Sequence, residues 1–206
     1  MFNWHKKESP ILSLLGLGGG IGGGLAGGGG GGGISASGAT VTAEGITPGN
    51  GYRYHVFTSP GDFTVNSGTG DVEYMVLAGG GSAGNGHYGG GGAGGLRTNV
   101  SGNPRAGATM TISPGTYPVV VGDGAPANAA YPVAKGSPSS FNSITSTGGG
   151  SGGDTPATDG SSIGKRGGSG GGGNYSGSPR SAGGPGNEGG FPTPQREGFP
   201  GGNWWW

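Results

Sequence analysis

The chain has 206 residues, of which 60 are glycine, with ten basic side chains against ten acidic ones and no cysteine. Apolar residues make up 29% and charged residues 10%, which excludes both an ordinary globular composition and a charge-rich disordered one. Zero formal net charge gives no electrostatic case for nucleic acid or an anionic membrane, and the lack of cysteine removes disulfides and thiolate metal sites.

The first ten residues are polar, with Phe2 and Trp4 as anchors, and Ile11 to Leu17 is apolar. Glycine then takes fourteen of the eighteen positions from Gly16 to Gly33. A signal peptide would use Lys6-Lys7 as its basic start, but Glu8, Pro10 and the glycines weaken that reading. A membrane-spanning helix is disfavoured because the uncharged stretch is mostly glycine, which costs about 1 kcal/mol per residue against alanine in a helix. Residues 1–39 are therefore read as an apolar and glycine-rich anchor into a larger assembly, carried by Trp4, Ile11, Leu12, Leu14, Leu15 and Leu17.

Residues 40–147 read as a β-framework. Thr40–Ala43 is a short strand candidate, and Tyr52–Phe57 alternates and is rich in β-formers. Ser59-Pro60-Gly61-Asp62 is a turn into Phe63-Thr64-Val65, and Ser67-Gly68-Thr69-Gly70 turns again into Asp71–Ala78. Leu96–Val100, Ala108–Ile112, Tyr117–Val121 and Ser139–Thr145 follow as short extended stretches between further turns. Short strands with regular turns and no helical period predict an all-β, small antiparallel jelly-roll-like sandwich with very little helix.

A glycine tract, 79–95, is inserted in this framework, with eleven of seventeen residues glycine and His87-Tyr88 as an exposed loop candidate. A second glycine-rich region covers 148–190. A flexible linker is the plain reading of such composition. Against it, Tyr88, Leu96, Ile163, Tyr175, Phe191 and Phe199 interrupt the glycines, and a spacer has little use for them. The two tracts are expected to pack side by side as polyproline II strands, whose outward-pointing backbone groups bond between neighbours. The remaining 191–206 is an aromatic Pro/Gly tail, in which Phe191, Phe199, Trp204, Trp205 and Trp206 are candidates for docking or recognition.

No pattern carries catalysis. Gly79-x-Gly81-x-x-Gly84 follows a strand as a dinucleotide fingerprint does, but no helix-forming segment follows to hold a pyrophosphate. Near Gly164-Lys165, Asp159 and Arg166 stand where a phosphate-binding loop needs Gly and Ser or Thr. The three histidines and the scattered acids have no metal-ligand spacing, so no catalytic residue, cofactor or metal is expected. A single Lys165-Arg166-Gly167-Gly168 unit on a neutral chain reads as a solvated turn, not as an RNA-binding repeat.

Tyr52–Phe57, Gly61–Val65, Asp71–Gly81, Gly91–Gly95, Pro114–Gly124 and Ser139-Ser140-Phe141 together resemble the glycine-rich domain of tailed-phage virion proteins, over roughly Gly51 to Gly190. A related arrangement of glycine helices on a β-framework is associated with the extracellular glycine-rich domain of anaplastic lymphoma kinase receptors. The phage resemblance implies a virion location and a non-enzymatic structural role, as a tail-fibre or receptor-binding component, with a capsid decoration or head-fibre protein as the alternative. It implies other virion proteins as partners, a homo-oligomer (a trimer by analogy with phage fibres) and contact with a host surface glycan or protein. It implies neither nucleic-acid binding nor membrane insertion.

Overall fold

In the computed structural model, residues 14–18, 33–41, 45–46, 52–84, 89–126, 133–154, 162–175 and 181–203 are described, the first of these as backbone alone. No helix occurs among them. Ten strands form two antiparallel sheets: β1 Leu14–Gly18, β2 Ser35–Ser37, β3 Tyr52–Val56, β4 Gly61–Ser67, β5 Gly70–Leu77, β6 Leu96–Thr98, β7 Met110–Ile112, β8 Gly115–Val120, β9 Ser139–Phe141 and β10 Ile144–Ser146. One sheet runs β3-β1-β5-β6, with β7 also on β5, and the other runs β10-β9-β8-β4-β2.

The sheets face each other because alternate residues of their strands are apolar. Phe63 and Val65 of β4 and Val72, Tyr74 and Val76 of β5 turn inward, joined by Ile112, Val119 and Phe141. Phe63 is wholly enclosed, with His55 edge-on at 5.0 Å and Phe141 edge-on at 5.9 Å between ring centroids. His55 is a core histidine: its Nδ1–H donates to the Gly38 carbonyl at 2.8 Å. Gly38 has φ +98° and lies against the Asp62 backbone, so no other residue type fits there without strain. Between β6 and β7 the edge of β5 is completed by a side chain. Asn99 Oδ1 accepts from the Tyr74 amide at 2.7 Å, and its Nδ2 donates to the Val72 carbonyl at 2.9 Å.

Three sequence expectations are corrected here. Leu14, Leu15 and Leu17, expected in an external anchor, lie in a strand held on both sides within the chain, opposite Val56, His55 and Arg53 of β3, with Leu15 and Leu17 also opposite Tyr74 and Val72 of β5. Thr40 and Val41 lie in a bend, and the strand of that region is β2, at 35–37. Ser139–Thr145 is a two-strand hairpin. Trp4, Ile11 and Leu12 lie outside the described residues.

The glycine tracts build a second layer on one end of the sandwich. Nine segments, 78–84, 89–95, 122–126, 133–138, 147–154, 162–167, 168–174, 181–187 and 197–203, bond to one another chiefly through backbone groups. The bonds recur every three residues on both partners. Ala78, Gly81 and Gly84 donate to Gly95, Gly92 and Gly89 at 3.1, 2.9 and 2.8 Å, and Gly149 and Gly152 donate to Gly79 and Ser82 at 2.9 Å each. A period of three is the turn of a polyproline II helix. Segment 147–154 is central, with every residue from Gly148 to Asp154 buried. It exchanges bonds with segments 78–84, 89–95, 133–138, 162–167 and 168–174. The expected pairing of tracts 79–95 and 148–190 is present, but three more segments join it: 122–126, 133–138 and 197–203. The last of these had been assigned to a tail.

Candidate functional site

Chain direction in the bundle gives it two distinct ends. Segments 78–84, 122–126, 147–154, 168–174 and 197–203 run away from the sandwich, and the other four run back. At the sandwich end Glu197 acts as a tie. Its carboxylate is 1% exposed and accepts from the Thr147 amide at 3.0 Å and the Gly189 amide at 2.9 Å. Its own amide donates to Asn187 Oδ1 and its carbonyl accepts from Leu96, the first residue of β6. One residue thus joins β6, the end of β10 and the 187–197 turn. Two carboxylate bonds to backbone amides satisfy a buried charge in the way such groups require.

The outer end collects the residues that bracket the connections. Gly84 donates to Gly89 at 2.8 Å, Gly153 to Gly172 at 2.9 Å, Asn174 to Ser162 at 2.9 Å and Gly173 to Gly202 at 3.0 Å, while Asn203 Oδ1 accepts from Gly183 at 2.8 Å. Beneath this end lie Asp154, Asn174 and Ser181, all buried, in the few places where the tracts carry a polar side chain. On it stand two large apolar groups, Ile163 at 48% and Tyr175 at 52% exposure. A rigid backbone lattice therefore presents the flanks of five chain segments, 85–88, 127–132, 155–161, 176–180 and 204–206, toward one side. Backbone packing of this kind does not depend on which residues connect the segments.

The sequence-derived candidates fall in different places. His87 and Tyr88, and Trp204, Trp205 and Trp206, lie outside the described residues. Phe191 and Phe199 are not at the outer end. Phe191 is half-buried beside the sandwich with Arg97 stacked on it at 3.4 Å, and Phe199 is 54% exposed on the sandwich half of the bundle flank. Sequence reading missed Glu197, whose signal is a carboxylate between glycine-rich stretches with no adjacent acid. It also named Ile163 and Tyr175 only as interruptions of glycine. Among the described residues no three histidine or acidic side chains converge as for a metal.

No curated protein and no solved structure matches the chain. The glycine-rich domain family matches residues 58–204, a span that takes in seven of the ten strands, β4 to β10. That span begins just before β4 and contains all nine bundle segments. The chain belongs to the glycine-rich domain family.

Proposed function

We propose that the chain is a non-enzymatic structural protein of a tailed-phage virion, a tail-fibre or receptor-binding component. The observation that carries this reading is the rigid glycine bundle, fixed to a sandwich at one end and bracketing five segments at the other. Backbone packing makes a stiff arm with few side chains to maintain, which suits a part that must hold contact loops away from an attachment platform. The phage resemblance of the strand motifs supports the same reading, and other copies of the chain and other virion proteins are its partners.

Quantitative mass spectrometry of purified particles tests it. The chain should be found in mature virions at tens of copies, the order expected of fibres in a symmetric particle. Copies in the hundreds would assign it to the shell, and absence from washed particles would refute a virion role.

A further inference from the structure

Where the sandwich meets the bundle, three arginines converge on two phenylalanine rings. Arg97 Cζ lies 3.4 Å from the Phe191 centroid, and Arg105 and Arg196 lie 4.7 and 5.5 Å from that of Phe199. All three arginines are half-buried, and Arg196 Nε is buried with no hydrogen-bond partner. None of them bonds to a carboxylate or carbonyl among the described residues, whereas Lys135 pairs with Glu188 at 2.8 Å. A half-buried guanidinium has lost part of its hydration and here receives no protein acceptor in return. The rings hold the Arg97 and Arg105 guanidinium groups in place, and a planar guanidinium offers a two-pronged edge that suits a flat anionic group.

Arg97 also opens onto a cleft of about 400 Å³ between the sheets. Its position opposite Val76 places it on the inward face of β6, where it lines that cleft. Polar walls come from Tyr74, Thr109, Asn142 and Ser143. Asn142 has φ +51°, which the two-residue β9–β10 turn requires and asparagine tolerates, and its amide lies on the cleft wall. The cleft falls within the range of about 300–1,000 Å³ usual for small-ligand sites.

We infer that this junction binds an acidic saccharide. Arg97 takes a carboxylate through its two-pronged edge, the hydroxyl and amide walls take ring hydroxyls, and the exposed Phe199 face with Arg105 receives a neighbouring sugar unit. A polynucleotide fits less well: its binding needs an extended basic track, and this chain carries no net charge.

Titration calorimetry of the full chain with tetragalacturonate, maltotetraose and a single-stranded DNA oligomer of equal charge tests this independently of any virion location. Tetragalacturonate should bind saturably, at least tenfold more tightly than either other probe. Arg97→Ala should weaken it tenfold or more, and Arg97→Lys, which keeps the charge and loses the fork, severalfold. Phe199→Ala replaces an exposed ring and should also weaken binding severalfold, so a folding defect at Arg97 leaves the test intact. Absence of tetragalacturonate binding, equal affinity for the neutral sugar or DNA, or indifference to both Arg97→Lys and Phe199→Ala would overturn the inference.

Discussion

Replacing Gly171 and Gly90 by alanine, one at a time, gives opposite results if the bundle is packed through its backbone. A Cβ at Gly171 would overlap the carbonyl of Ser151 in the central segment, and a backbone group cannot swing aside. Relief requires segment 168–174 to move away, which puts two bonds at risk: Gly171 to Lys165 at 3.0 Å, and Gly184 to Gly171 at 2.7 Å. Leaving buried groups unpaired costs about 1–3 kcal/mol each, so Gly171→Ala should cost roughly 2–6 kcal/mol. At about 2–4 °C per kcal/mol for a chain of this size, Tm should fall by on the order of 10 °C. Gly90 meets nothing within 4 Å of its added Cβ and shares its outward, three-residue face with Ala93. There alanine only restricts the unfolded chain, and should stabilise by about 0.4–1 kcal/mol. Thermal melts of the two variants, followed by circular dichroism, measure the contrast. Equal melting temperatures for Gly171→Ala and Gly90→Ala would refute the close packing.

Glu197→Ala should lower stability by roughly 2–6 kcal/mol, since it strips the Thr147 and Gly189 amides of their acceptor at about 1–3 kcal/mol each; a denaturant midpoint unchanged from wild type would remove Glu197 from its role as a tie. Burial pushes the Tyr74 hydroxyl above its ordinary value of 10.0, against a smaller lowering by Arg97. Tyr74 therefore contributes stability that is complete below pH 10 and lost as pH rises through its native value, because the unfolded chain releases that proton first. Wild type should lose Tm above pH 10 faster than Tyr74→Phe, and parallel declines would contradict this. Deleting residues 1–18 removes β1 from between β3 and β5, so the remainder should unfold at lower denaturant and expose more amides of β3 and β5 to hydrogen exchange; protection equal to the full chain would show that β1 is dispensable.

The sandwich was legible because its signal is local. Alternation at Phe63 and Val65, and at Val72, Tyr74 and Val76, places one face of each strand inward whatever the partner. The strand at Leu14–Gly18 was not legible, since Gly16 and Gly18 blur the alternation and its partners lie dozens of residues away. Nothing within the segment says that β3 and β5 leave a gap for it. The Arg97 cleft was equally hidden, because the side chain's direction follows from its register opposite Val76.

The bundle shows why glycine counting found some segments and passed over others. In a three-residue helix only the face toward close neighbours must be bare, so one glycine in three suffices. Segment 197–203 turns Gly198 and Gly201 toward the Gly168 and Gly171 carbonyls, while Phe199 and Pro200 face out. Gly122 lies against Ser137 and Gly136 against Gly79, with Asp123 and Lys135 exposed beside them. These stretches look like turns or tail in composition, yet each meets the same packing condition as Gly148-Gly149-Gly150 at the centre. The readable signal is therefore the phase of glycine along the chain, and its density is set by how many neighbours a segment has. From Gly148 on, the central segment is bare on two faces and carries only Ser151 and Asp154 on the third, whereas an edge segment is free to carry the rings and charges that face a ligand.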